Sequence, residues 1–326
     1  MSPEQPLDFS LKPLVKGHGL AVSLPLAERL RAARGVPQAV VKVAGYGHGA
    51  KGAKRLLRYI SRKGELPLET ELGEVLTNTD QQKKLIEDWA QDFDTRGDSR
   101  DTVHLVFSMP PGSSPEALRR TIRTVLQRRF QGHEAVFAIH EDKQHPHAHV
   151  VVKMFNVETE KKLRLNRPDL HRLREIFAEA AREEGVEMAV SSRAARGVGR
   201  KGRRRVPHQL HRKGIVPRAE QETAREVLAS LEKGDLREKP WEVAMRRRNG
   251  LERQAYHMEA EKLRAEALQN EKDREALLKA ASDLERFSRT MPTPKTLRQT
   301  MLDQLHLSPR HKNPGSSRDR GGGLER

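Results

Sequence analysis

His140-Glu141-Asp142-Lys143-Gln144-His145-Pro146-His147-Ala148-His149-Val150-Val151-Val152 holds four of the chain's 14 histidines. Read as backbone, this stretch is a hairpin. Alternate residues of a strand share a face, roughly 7 Å apart, so His147 and His149 project together from a strand that continues through three valines. Pro146 suits the beginning of that strand, where a missing ladder donor is tolerated. His140 closes the preceding run, residues 135–140, and residues 141–146 turn the chain back. Three imidazoles, from His140, His147 and His149, thereby converge. Such a set suits a divalent transition metal and leaves coordination positions open for water or substrate. The alternative is a hydrated strand face that happens to be rich in histidine. His145, in the turn, is expected to support the other histidines or to face DNA. Asp142 is placed to hold a histidine Nδ1–H, a contact that fixes the tautomer and raises ligand basicity.

Outward from the hairpin, the pattern predicts an α+β domain. Residues 39–43 and 103–109 read as strands, and Gly45, Gly47, Gly49 and Gly52 crowd an expected loop between the first strand and a helix. That helix carries Ala53, Leu56, Leu57 and Ile60 at helical spacing and stops at Gly64. Ser114 and Pro115 start a second helix, as N-cap and first helical residue. A third follows Pro168, with Leu170, Leu173, Phe177 and Ala180 on one face and Gly185 at its end; residues 186–190 read as a last strand. The order favours a largely antiparallel central sheet flanked by helices.

The rest of the chain differs in kind. Of 326 residues only 35% are hydrophobic and 33% are charged, against about 45–50% and about 25% in an ordinary soluble domain. One evenly packed globule is excluded. Residues 1–36 read as an N-terminal arm, with a short amphipathic stretch at 24–33. Residues 37–195 form the folded domain. Residues 196–218 are a basic linker containing Arg203, Arg204 and Arg205 and no acid, residues 219–290 are helical with a long helix expected after Gly250, and residues 291–326 read as a disordered basic tail. A net charge of +17 points to a polyanion, nucleic acid before acidic membrane. The absence of cysteine excludes a disulfide scaffold and thiolate zinc sites. No apolar run approaches the ~20 residues that cross a bilayer, and residues 1–14 do not read as a signal peptide, so neither membrane insertion nor secretion through a cleaved leader is expected.

A metal on a basic protein suits phosphodiester chemistry. Water is the default nucleophile, but Tyr59 competes with it. By composition Tyr59 is an aromatic at the edge of the Ala53/Leu56/Leu57/Ile60 stripe. Arg62 and Lys63 follow it, and cations favour the phenolate and attract phosphate.

Three motifs carry a family likeness. Arg58-Tyr59-Ile60-Ser61-Arg62-Lys63-Gly64 resembles the nucleophile motif of conjugative DNA relaxases of the MobA/TraI type, close to the branch of the T-DNA border endonuclease. His104-Leu105-Val106-Phe107-Ser108-Met109-Pro110 is similar to their serine-bearing strand, and His140-x-Asp142-x-x-His145-Pro146-His147-x-His149 to their histidine motif. The likeness covers about residues 38–195, with tyrosine ahead of histidines. Rolling-circle replication initiators place the histidine pair first, and many carry two tyrosines four apart; Tyr46 and Tyr59 are thirteen apart. The family motif usually lies near the N-terminus, whereas an arm precedes it here.

The resemblance implies the fold of a nucleotidyl-transferase palm and a mechanism. Tyr59 attacks the phosphorus at a nick site, giving a 5′-phosphotyrosine and a free 3′-hydroxyl. His140, His147 and His149 hold Mg²⁺ or Mn²⁺, Ser108 contacts DNA near the nick, and Asp142 orients a histidine or helps take the phenol proton. Arg62, Lys63, His145, Arg203, Arg204 and Arg205 are expected at the DNA. His104 shares a strand face with Ser108 and either joins them or stands as a surface histidine. Expected partners are single-stranded DNA at a plasmid or integrative-element transfer origin, relaxosome accessory proteins, a coupling ATPase and a type IV secretion channel. The expected location is the bacterial cytoplasm, with passage into the recipient alongside the DNA. Against this stand a replication initiator or transposase of the same superfamily and a non-catalytic basic accessory protein with a structural metal.

Overall fold

The computed structural model describes residues 24–94, 98–199 and 205–307. Its centre is a six-stranded sheet in the order β1-β4-β6-β5-β2-β3, antiparallel throughout. The strands are β1 (Val40–Gly47), β2 (Leu68–Thr70), β3 (Val75–Leu76), β4 (Thr102–Ser108), β5 (Ala135–His140) and β6 (His147–Lys153). Helices α2 (Gly49–Ile60) and α3 (Thr79–Ala90) cover one face of the sheet; α4 (Pro115–Arg129) and α5 (Arg167–Glu183) cover the other. The α+β architecture is the one the patterning predicts.

Alternation along the strands sorts the side chains. Val103, Leu105, Phe107, Ala135, Phe137, Val150 and Val152 point towards α4 and α5 and join Leu118, Ile122, Leu173 and Phe177 in the main core. The intervening residues face α2 and α3, where Val136, Ala138 and Val151 meet Leu57, Ile60, Ile86 and Trp89. Ser114 caps α4 by accepting from the Glu116 N–H at 3.2 Å, and Asn78 with Gln81 forms a capping box on α3.

Several local expectations are corrected. The glycines after residue 43 are not a free loop: β1 runs on to Gly47 past a bulge between Val43 and Gly45. A Cβ at Gly52 would lie 2.9 Å from the Gly47 backbone, so α2 crosses the end of β1 at a separation that side chains would prevent. Residues 186–190 form no strand but a single parallel bridge, in which the Ala189 N–H donates to the Pro37 carbonyl and the Ala189 carbonyl accepts from Ala39.

The C-terminal third is helical, as expected, but more ordered than its composition implies. It contains α6 (Arg205–Arg212), α7 (Arg218–Glu232), α8 (Pro240–Gln269), α9 (Arg274–Thr290) and α10 (Leu297–Leu307). The long helix begins ten residues before Gly250 and runs through it. Helices α8 and α9 pair as an antiparallel hairpin and pack on the short helix α1 (Leu26–Ala33). The contact is built from Ala255, Ala260, Leu263, Ala280 and Ala281 and from the ion pairs Arg29–Glu259 (2.7 Å) and Arg34–Asp283 (2.8 Å). The reading of residues 291–326 as disordered is corrected over α10, which Arg298 ties to Glu242 through a buried 2.9 Å pair. The outer parts of the expected arm and tail, residues 1–23 and 308–326, lie outside the described residues. No helix among the described residues is long and apolar enough to cross a membrane.

Candidate active site

The hairpin register sets His140 directly opposite His147, and His149 opposite Ala138. All three imidazoles are buried on the α2 side of the sheet. One nitrogen from each lies within 4.8 Å of the others. The second nitrogen of each ring is engaged. His140 Nε2 contacts the Ile60 carbonyl at 2.7 Å, His147 Nδ1 the His145 carbonyl at 3.2 Å, and His149 Nδ1 meets His104 Nε2 at 2.7 Å. A ring that donates to a carbonyl keeps its other nitrogen as a lone pair, so His140 offers Nδ1 and His147 offers Nε2. His149 offers Nε2.

Electrostatics favour the same state. Burial lowers the pKa of His140 and His147, takes His104 to about 4, and together with the neighbouring imidazoles takes His149 to about 3. At neutral pH the cluster is uncharged, as imidazole ligands must be. Three neutral nitrogens at one point, each with its partner nitrogen tied, fit a divalent cation with open positions.

Tyr59 occupies the last turn of α2. Its neighbours Ala53, Leu56, Leu57 and Ile60 are buried in the core beneath the helix. Tyr59 is not part of that stripe: its side chain is 61% exposed and stands edge-on to His104 and His149, with ring centroids 5.7 and 5.6 Å away. The core-edge reading of Tyr59 is therefore set aside. After Ser61, whose hydroxyl accepts from the Gly64 N–H at 3.1 Å, the chain turns through Arg62 (φ 51°) and Lys63 (φ 64°). Two successive left-handed residues other than glycine are uncommon and cost roughly 1–2 kcal/mol each. The turn brings Arg62 to Asp142 at 2.7 Å. Asp142 lies 4.0 Å from His147 Nε2. Desolvation opposes its ionisation, but the Arg62 guanidinium outweighs this and holds the carboxyl below its ordinary range. Tyr59 and Asp142 thus meet the cluster at different members, Tyr59 at His149 and Asp142 at His147.

The remaining expected site residues separate. His104 is buried against His149, not a surface histidine. Ser108 ends β4 opposite His147, partly exposed on the same face. His145 is exposed in the turn and serves His147 through its carbonyl. Lys63 is exposed beside α2. Arg203 and Arg204 lie outside the described residues, and Arg205 begins α6. Sequence reading misses the Ile60 carbonyl, which only the packing of α2 on β5 brings to His140. It also misses Lys42, exposed opposite Val106 on the histidine-bearing face; strand alternation was the available signal, but it needed the pairing order.

Residues 59–186 match the family model for the relaxase MobA/VirD2-like nuclease domain, a match that begins at Tyr59, one residue into the first motif, and includes the other two whole. The chain is also similar to the T-DNA border endonuclease VirD2 of Rhizobium rhizogenes, 30% identical over 175 residues, 47% of this chain and 40% of the relative. The corresponding proteins of Agrobacterium fabrum and Rhizobium radiobacter are 29% and 27% identical over the same length, 39% and 41% of those relatives. The chain therefore spans about two fifths of the length of the curated relatives it matches.

Proposed function

We propose, from a chain whose residues 59–186 match the family model for the relaxase MobA/VirD2-like nuclease domain, that this protein nicks and rejoins one DNA strand at a transfer origin of a plasmid or integrative element. Tyr59 Oη bonds to the scissile phosphorus while the bond to the 3′-oxygen breaks. The phenol proton passes to solvent, which reaches the exposed ring, and the departing 3′-oxygen takes up a proton. The 5′-phosphotyrosine retains a phosphodiester, so a 3′-hydroxyl can reverse the step and seal the strand.

The observation that carries this reading is the position of Tyr59, outside the buried stripe of its own helix and edge-on to an imidazole cluster. His140, His147 and His149 would hold Mg²⁺ or Mn²⁺, which when bound polarises the phosphate. His104 holds His149 in orientation, and the His145 carbonyl and Ile60 carbonyl do the same for His147 and His140. Asp142 and Arg62 brace the turn beside His147. Ser108 and Lys42, on the same sheet face, and Lys63 meet the strand, with Arg203, Arg204 and Arg205 extending its path. Accessory proteins of the relaxosome, a coupling ATPase and a secretion channel are the partners such a role requires. The location is the bacterial cytoplasm, followed by passage with the DNA.

The test is incubation of the full chain with end-labelled single-stranded origin DNA and Mn²⁺. A denaturant-stable adduct mapped to Tyr59 is expected. An adduct on Tyr46, or cleavage with no adduct, defeats the assignment.

A further inference from the structure

A second feature of α2 adjoins the chemistry above and shares only Lys63 with it. On the flank of the helix away from the imidazoles, α2, the turn after it and α3 enclose a cleft of about 290 Å³. Every charged residue lining it is a cation: Lys54, Arg58, Lys63 and Lys83. Among the described residues, Lys54, Arg58 and Lys63 have no carboxylate at ion-pair distance, and Lys83 meets only Glu87, at 3.8 Å in the open. Gln82 also lines the cleft. Its side chain is 6% exposed, and its amide nitrogen has no hydrogen-bond partner. An unpaired buried amide costs about 1–3 kcal/mol, and clustered cations repel one another. Both deficits are removed by one small polyanion, with oxygens for the amide and charge for the ammonium and guanidinium groups.

We propose that this cleft is a phosphate-binding subsite, filled by one non-scissile phosphodiester of the strand that Tyr59 attacks. The strand assignment rests on the proposed function; the phosphate chemistry rests on the cleft. Arg58 precedes Tyr59 and lies about 100° round the helix from it, so a strand bonded to Tyr59 passes close to the cleft. Held there, a neighbouring phosphate fixes the register of the strand on α2 independently of the imidazoles.

The experiment uses the full chain, fluorescent single-stranded origin DNA and the variants Lys54→Gln/Lys83→Gln and Gln82→Leu. The double variant should weaken binding and flatten the dependence of log K on log salt by about 0.7, one single-strand phosphate. Gln82→Leu should weaken binding roughly fivefold with the slope unchanged, as loss of one neutral donor does. Without DNA it should melt above the wild type, because an unpaired buried amide is gone. A methylphosphonate walked along the strand should reveal one linkage whose neutralisation weakens wild-type binding but not that of the double variant. Wild-type affinity and slope in the double variant, with the Tyr59 adduct intact, overturn the subsite and leave the proposed function standing. Inorganic phosphate titrated by NMR tests the other source. Shifts in α2 and α3 that the double variant abolishes, with DNA binding unaffected, overturn the strand assignment in favour of free phosphate. If no Tyr59 adduct forms on any DNA, the proposed function fails separately, and absence of those phosphate shifts then overturns the cleft as well.

Discussion

The two faces of the central sheet come from the same strands and serve different ends. Towards α4 and α5, β4 presents Val103, Leu105 and Phe107, and β6 presents Ala148, Val150 and Val152, all fully buried. Towards α2 and α3 the same strands present His104, His147 and His149, with Val151 among them and Lys153 beyond. The apolar face supplies the area removed from water that holds the domain together. The other face is buried enough to keep imidazoles uncharged, and α2 ends beside them with Tyr59 exposed. Period-two alternation lets a seven-residue strand carry a core and a reaction centre together.

The largest expected effect tests the chemical face alone. Tyr59→Phe keeps the ring and removes the attacking oxygen, so adduct formation should vanish while single-strand affinity persists; residual adduct would move the nucleophile elsewhere. Next come the imidazoles. His147→Ala or His149→Ala should abolish activity and Mn²⁺ binding together in calorimetry. His104→Ala, which releases one hydrogen bond on His149, should lower Mn²⁺ affinity by about 10–100-fold. Equal losses in all three would make His104 a ligand rather than a support. The opposite face is tested by Leu105→Ala, expected to cost about 2–5 kcal/mol in urea unfolding with adduct yield per folded molecule unchanged. A matching loss of Mn²⁺ affinity would show that the faces are not independent.

The last test concerns acid. In metal-free protein the folded pKa values of His104 and His149, about 4 and about 3, lie below the ordinary 6.5. The unfolded chain therefore binds more protons, and the contribution of these rings is complete above pH 6.5. It is lost as pH falls towards those values, by at most about 1.4 kcal/mol per pH unit for each ring. Urea midpoints at pH 7 and pH 5 should differ in that direction, and His104→Phe should reduce the difference. An unchanged midpoint would mean that the imidazoles are solvated in the folded protein.

How much of this was legible in the sequence follows from the range of each interaction. The hairpin, its register and the three converging histidines are written in ten residues, and local alternation suffices to read them. Strands β2 and β3 are three and two residues long, too short for any period to show, and α3 was missed with them. The docking of α8 and α9 on α1 was hidden because its contact is largely alanine and paired charge, which composition counts as solvated surface. Arg62 and Lys63 hold left-handed backbone without the glycine that would advertise it. The cationic cleft needs side chains from two helices and the turn between them, so no single stretch of sequence displays it.

The opposition of His140 and His147 across the hairpin has a genetic consequence. Substitutions within β6 change one side chain at a time and leave the facing of the others intact. An in-frame loss of the Ala148 codon is different in kind. It would make His147 and His149 neighbours, send one of them into the α4/α5 core, and put Val150 and Val152 out of phase. Folding and metal capture would fail in the same event. The length of the segment is therefore under a stricter constraint than any one of its letters.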